Sequence, residues 1–179
     1  MFKTTEDSRI QISELMKPSH ANFGGKIHGG YILSLMDNIA FACASKHSQS
    51  YCVTASVNKV NFLNPIEVGE LVTMKASVNY IGKSSMIVGI RVESENIRTG
   101  KKKHCNSSYF TMVAVDESGK TVTVPGLKLI TKMDAKRFIK SIIRRESDTR
   151  RSEDLNSIYK NVDQHLEQLK DYRVKIDFK

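Results

Sequence analysis

No apolar run in the N-terminal stretch Met1–Lys17 reaches the length that a secretory leader or a membrane span requires; the stretch is polar and carries charges of both signs. The sequence therefore predicts a cytoplasmic protein that this segment neither exports nor anchors. Cysteine is scarce. Cys43, Cys52 and Cys105 show no CxxC spacing, and three thiols cannot all pair within one chain, which points to a reducing compartment without disulfides. His20, His47, His104 and His165 are not spaced as metal ligands with one another or with any cysteine, so no metal is expected. The chain also lacks a GxSxG elbow, which argues against a serine hydrolase. It has no RNP, zinc-finger or helix-turn-helix pattern either, so nucleic acid is not an expected partner.

What is present is enough for a core: 179 residues, 40% of them hydrophobic, correspond to one domain with an appendage. The formal net charge of +9 suggests an anionic partner. Much of it lies late in the chain. Between Lys128 and Arg151 nine basic residues face only Asp134, Glu146 and Asp148. That segment can be a solvated helical surface or a contact for polyanionic phosphates.

Ile27 to Ser45 reads as a helix buried almost all round, with apolar residues at 32, 35, 36, 39 and 43 and others filling the opposite side. Alternation over 72–80 and 86–93 predicts two strands joined by a turn at Gly82-Lys83. A turn at Thr99-Gly100 leads to a third strand over roughly 103–115. Further strands are expected over Ile10–Met16, Tyr51–Leu63 and Thr121–Val124. One apolar helix among antiparallel strands has a single place to bury itself, inside a sheet that curls around it. The predicted fold is α+β, the hot-dog arrangement of a curved antiparallel sheet around one central helix. Residues 1–127 would form this domain, and residues 128–179 a basic, charged C-terminal helical extension. Helices are expected over 133–146 and 152–171, the second with Leu155, Ile158, Val162, Leu166 and Leu169 on a docking face.

Asp37 is the only carboxylate between Ile27 and Ser45, and it stands among Leu33, Met36 and Phe41. An ionised acid in apolar surroundings costs several kcal/mol unless it is paired, roughly the scale set by charge burial. Either Asp37 sits at an exposed or subunit-facing edge beside a polar group, or it is a base of raised pKa. The N–H groups near Gly29 and Gly30, at the positive end of the helix dipole, could hold a carbonyl oxygen. Asp37 lies about 12 Å further along the axis by helical rise, so both elements serve one carbonyl most readily in a site shared between subunits.

The run Pro18-Ser19-His20-Ala21-Asn22 through Gly29-Gly30 to Met36-Asp37 resembles the acyl-CoA thioesterases of the YciA and brain-type acyl-CoA hydrolase group. So do Val53-Thr54-Ala55 with Phe62-Leu63-Asn64-Pro65, Ser94–Gly100 with Lys102-Lys103, and Val113–Asp116 leading to Val124-Pro125. The resemblance spans about residues 10 to 125. It implies hydrolysis of acyl-CoA to free fatty acid and CoA, with Asp37 as general base or nucleophile and Asn22 supplied by the partner subunit. It also implies a homo-oligomer, at least a dimer and by family habit a trimer of dimers. No cofactor is implied, since coenzyme A belongs to substrate and product. By position Thr54, Ser84 and Ser85 are candidates for the pantetheine pocket, and Arg98, Lys101, Lys102 and Lys103 for the phosphates. Where the family usually carries Phe before its glycine pair, this chain has His28.

Two other functions fit the same fold. A non-catalytic acyl-CoA sensor would have no use for an acid in its acyl pocket. A hot-dog enoyl-CoA hydratase would pair an acid with a histidine near the helix, but His28 stands before the glycine pair, outside that signature.

Overall fold

The computed structural model describes residues 1–160 and 162–177. Two compact units are present, Met1–Ile139 and Lys140–Lys179. In the first, a strand β1 (Phe2–Thr4) and a one-turn helix α1 (Thr5–Ser8) precede β2 (Ile10–Leu15). A loop with a 3-10 turn at Pro18–His20 leads to the long helix α2 (Gly29–Ser48). Then follow β3 (Tyr51–Val57), β4 (Glu70–Ile81), β5 (Ser85–Asn96), β6 (Lys101–Val115) and β7 (Gly126–Lys128). Helix α3 (Lys132–Lys160) begins in the first unit.

Strands β2-β4-β5-β6-β3 form one antiparallel sheet in that order. Helix α2 packs on it through Ile32, Met36, Ile39, Ala40, Cys43 and Ala44, all at most 1% exposed, whose spacing of three and four residues makes one continuous stripe. The sheet answers with the alternating inward residues of β4 and β5, such as Val72, Met74, Val88 and Val92, and with Phe110 and Met112 of β6. Each such side chain contributes roughly 1.5–3 kcal/mol by leaving water. This is the expected α+β hot-dog fold. The helix is not buried all round, however: Ser34, Asp37, Asn38 and Phe41 are exposed in the single chain. Apolar content alone does not separate a core face from one that awaits another surface.

Several boundaries differ from expectation. Strand β3 ends at Val57, and residues 58–63 leave the sheet as a loop fastened to β6 by Asn58 N–H to Tyr109 O and Leu63 N–H to Cys105 O. Thr121–Val124 forms no strand: Thr121 makes an isolated bridge to Val115, and the Val122 and Val124 N–H groups donate to Ala114 O and Lys83 O. The late strand is β7, which pairs in parallel with β1, and the expected boundary at 127/128 falls inside it. The two charged helices are one continuous α3, followed by a 3-10 segment over Val162–Asp171. On the expected docking face, Leu155, Ile158 and Val162 are exposed in the single chain. No helix among the described residues is long and apolar enough to cross a membrane.

His47, in the last turn of α2, is fully buried and fastens the helix to the β1–β7 pair. Its Nε2 contacts Pro125 O at 3.1 Å, and its backbone carbonyl accepts from Lys3 Nζ at 2.8 Å. Its Nδ1 has no partner among the described residues. Burial lowers the imidazole pKa, and the nearby Lys3 charge adds to this against the opposing Pro125 contact. The folded state therefore binds a proton less readily than the unfolded chain. The resulting stability is present above the unfolded His pKa of about 6.5 and is lost as pH falls through the lowered folded value. Thermal melts of the native protein should weaken as pH drops below about 6.5. A His47→Gln variant should show a flatter dependence, and parallel curves would refute the account.

Candidate active site

The acid and its first partner come from neighbouring elements. Asp37 projects from the middle of α2, and Thr54 Oγ1 on β3 donates a 2.6 Å hydrogen bond to its Oδ1. Strand β3 slips register against β6 between Thr54 and Ser56, a bulge that interrupts the ladder beside the acid. Thr54 Oγ1 also lies 3.5 Å from Met112 Sδ. Leu33, Ser34, Val57, Asn58, Lys59, Val60 and Phe110 join Asp37 around an open groove of about 590 Å³. The walls are largely apolar, as an acyl chain requires. The carboxylate itself is exposed in the single chain, so this subunit alone does not desolvate it.

Asn22 sits in the exposed loop before α2. Its Oδ1 accepts from the Gly24 N–H at 2.9 Å and the Lys26 N–H at 3.2 Å, while its own N–H donates to Lys26 O at 2.7 Å. Gly25 takes φ +73° to complete the turn, a conformation that favours glycine. The side-chain oxygen thus shapes the loop, and the Nδ2 donors have no partner among the described residues.

At the helix start, His28 is the N-cap. Its Nδ1 accepts the Gly30 N–H at 2.9 Å. That amide is occupied in this structure, whereas the sequence reading had offered both Gly29 and Gly30 as donors. The Gly29 N–H has no partner among the described residues, and the Phe62 ring lies against the bare Gly29 position, where a Cβ would come within 3.2 Å. His20 stacks on Tyr31 with ring centroids 4.0 Å apart, and the Tyr31 hydroxyl donates to Glu14 at 2.6 Å. Sequence reasoning passed over this buttress of the helix start because its members lie on three separate elements.

The structure brings Asp37 and Thr54 together but not the remaining candidates. Ser84 and Ser85 lie at the β4–β5 hairpin, with Ser85 opposite Val113, which is itself opposite Val53 of β3. Arg98 and Lys101 lie at the other end of β5, about 36 Å away by strand rise over its 12 residues. Lys102 pairs with Glu95 at 3.2 Å. Lys103 pairs with Glu70 at 2.9 Å. Burial raises the Glu70 pKa, but the Glu67 N–H and Lys103 outweigh it and hold the carboxyl below its usual range. The helix start and the basic hairpin share one end of β6, because Asn64 Nδ2 donates to His104 O beside the Phe62 that covers Gly29.

Known proteins share both this sequence and this arrangement. The family described as "Thioesterase superfamily" matches residues 24–101. Protein VdlD of Helicobacter pylori is 42% identical over 147 residues, 82% of this chain and 84% of that protein. The crystal structure of an apo hexameric acyl-CoA thioesterase is 36% identical, covers 84% of this chain and 97% of its own, and superposes with a TM-score of 0.82. An acyl-CoA hydrolase of Staphylococcus aureus, solved with butyryl-CoA and CoA, is 28% identical over 90% of this chain and 99% of its own, with a TM-score of 0.81. Variants of that enzyme have been solved with an aspartate, an asparagine or a threonine replaced by alanine. With an acid on the central helix of a hot-dog sheet, and with relatives this similar across nearly their whole length, the chain belongs to the acyl-CoA thioesterases of the thioesterase superfamily.

Proposed function

We propose that this protein hydrolyses acyl-CoA through a site completed by a second copy of the chain. The observation that carries the reading is the 2.6 Å Thr54–Asp37 contact at the mouth of an apolar groove, on the exposed edge strand of the sheet. Tyr51, Val53 and Val57 of β3 and Phe41 of α2 are exposed there, and an edge that offers both apolar side chains and an open ladder invites a partner strand. Such pairing would exclude bulk water from around Asp37.

In the proposed reaction, water attacks the thioester carbonyl carbon while Asp37 takes its proton. A carbon–oxygen bond forms, and the resulting oxyanion is held by the Gly29 N–H, with Gly30 available when His28 turns away. The carbon–sulfur bond then breaks, CoA leaves as its thiol with the proton returned by Asp37, and the fatty acid departs. Direct attack by the Asp37 carboxylate is the variant of this scheme. One copy would supply Asp37 and Thr54; the other would supply Asn22, the helix start, and Arg98 and Lys101 for the CoA phosphates. The altered aspartate, asparagine and threonine of the Staphylococcus aureus enzyme stand at the same separations along the chain as Asp37, Asn22 and Thr54, which supports this assignment. A hexameric relative supports a trimer of dimers as the assembly, and a relative named as cytosolic supports a place in the cytoplasm.

Thiol release from acyl-CoAs of acetyl to palmitoyl length is the direct test. The native protein should liberate CoA thiol from part of that series, and release from none of them would overturn the reading. Thr54→Val keeps the side-chain shape but removes the hydrogen bond to Asp37, and kcat should fall about tenfold on the scale of a charge-assisted bond.

A further inference from the structure

One wall of the groove beside Asp37 is a loop rather than a strand. After Val57 the chain leaves the ladder, and Asn58, Lys59 and Val60 line the groove together with Leu33 and Phe110. Residues 58–63 are half-buried or exposed in the single chain, so they owe their position to a few hydrogen bonds rather than to packing on both sides.

Those bonds come from β6. Asn106, Ser108 and Phe110 are alternate residues of that strand, each at most 1% exposed, and so form one inward row. Phe110 lines the groove, while the other two turn polar groups to the loop. Asn106 Nδ2 donates to Asn61 O at 3.0 Å and Ser108 Oγ to Asn58 O at 3.4 Å; the Asn58 N–H reaches Tyr109 O at 2.9 Å. The Asn106 Oδ1 is buried with no partner among the described residues. An atom in that position destabilises a fold, and a leucine of similar size would avoid it. What the amide secures is the Asn61 carbonyl in the middle of the loop. The second half is anchored separately, by the Leu63 N–H on Cys105 O and by Asn64 Nδ2 on His104 O, where Phe62 lies against Gly29. Asn106 and Ser108 therefore hold the groove wall without holding the helix start.

We propose, on the reading of the Asp37 groove as the acyl site, that Asn106 and Ser108 are positioning residues that act through residues 58–61 to set which acyl chains are accepted. A fixed wall favours chains that reach along it, because each methylene in contact adds to binding. A loosened wall forfeits that contact on long chains and leaves short ones untouched.

Thiol-release kinetics of the assembled protein over acyl-CoAs from acetyl to palmitoyl provide the test. In Asn106→Leu, KM should rise about tenfold on the longest chain that the native protein hydrolyses, on the scale of roughly two methylenes of lost contact. Its kcat there should stay within about twofold, and KM on the shortest substrate should keep its native value. Binding lost equally from ground and transition states has this signature, whereas a folding defect alone would lower kcat alike on every chain. Hydrogen exchange in the peptide that spans residues 58–61 should quicken in the same variant. Val60→Phe, a change on the loop itself, should shift the preferred chain to a shorter one, and it decides the matter if Asn106→Leu fails to fold. Uniform loss of kcat in Asn106→Leu, or a chain-length profile that Val60→Phe leaves unchanged, would overturn the proposal while the thioesterase reading stands. Native protein that releases thiol from no chain would overturn both.

Discussion

Asp37→Asn should fold as the native protein does and lose nearly all thiol release, with kcat lower by roughly 10²–10⁴, the range that a positioned general base contributes. The substitution preserves shape, and its amide can still accept from Thr54, so the 2.6 Å contact and the groove survive in altered chemistry. What disappears is the capacity to take a proton from water. The Asn oxygen keeps the Thr54 hydroxyl satisfied, and no ionised group then has to lose water where the partner closes over it, so the melting temperature should not fall. An Asn variant that retained native turnover would remove Asp37 from the mechanism. A variant that lost turnover only together with its fold would demote the residue to a structural role.

Mixing two inactive variants should restore activity. Within one chain the helix start lies about 12 Å from Asp37 by helical rise, two turns along α2, and Asn22 stands in the loop before it, so a shared carbonyl is met most readily by halves from different copies. Asn22→Ala should be strongly impaired on its own, since the Nδ2 donors that it directs away from its own loop are lost. When Asn22→Ala and Asp37→Ala subunits are dissociated and reassembled in equal amounts, half of the dimers are mixed. Each mixed dimer carries one intact site and one doubly defective site, so about a quarter of native activity should return. Activity that stays at the level of the separate variants after verified exchange would mean that each chain builds its own site.

The main lines of the fold were legible because they rest on local periodicity. Strands β4, β5 and β6 each carry a stretch of alternation, and α2 carries its apolar stripe at helical spacing. The failures have non-local causes. Thr121–Val124 has the alternation of a strand, whereas the pairing that forms joins Gly126–Lys128 to residues more than a hundred positions earlier. Residues 58–63 look strand-like, yet the chain leaves the sheet after Val57 and sets Phe62 upon Gly29. Two late helices, over 133–146 and 152–171, are expected where a single helix continues to Lys160. At the site, Asp37 and Thr54 were both identified, but not their hydrogen bond, because seventeen residues and a helix–strand crossing separate them. The expectation of a buried acid had read apolar neighbours as a core, while they line a groove and an edge.

The short β1–β7 ladder also bears on how the domain is assembled. Phe2, Lys3 and Thr4 find their register only on Gly126, Leu127 and Lys128, and a Cβ at Gly126 would strike the Phe2 ring at 2.4 Å. During synthesis the opening residues leave the ribosome first and have no partner until the 128th has followed. The β4–β5 and β5–β6 hairpins can close beforehand, quickly because their loops are short, while β2 and β3 join the sheet through longer connections. Closure of this clasp thus waits for residues 126–128, and a released chain ending before residue 126 would keep the five strands of the sheet but leave residues 2–4 without their ladder.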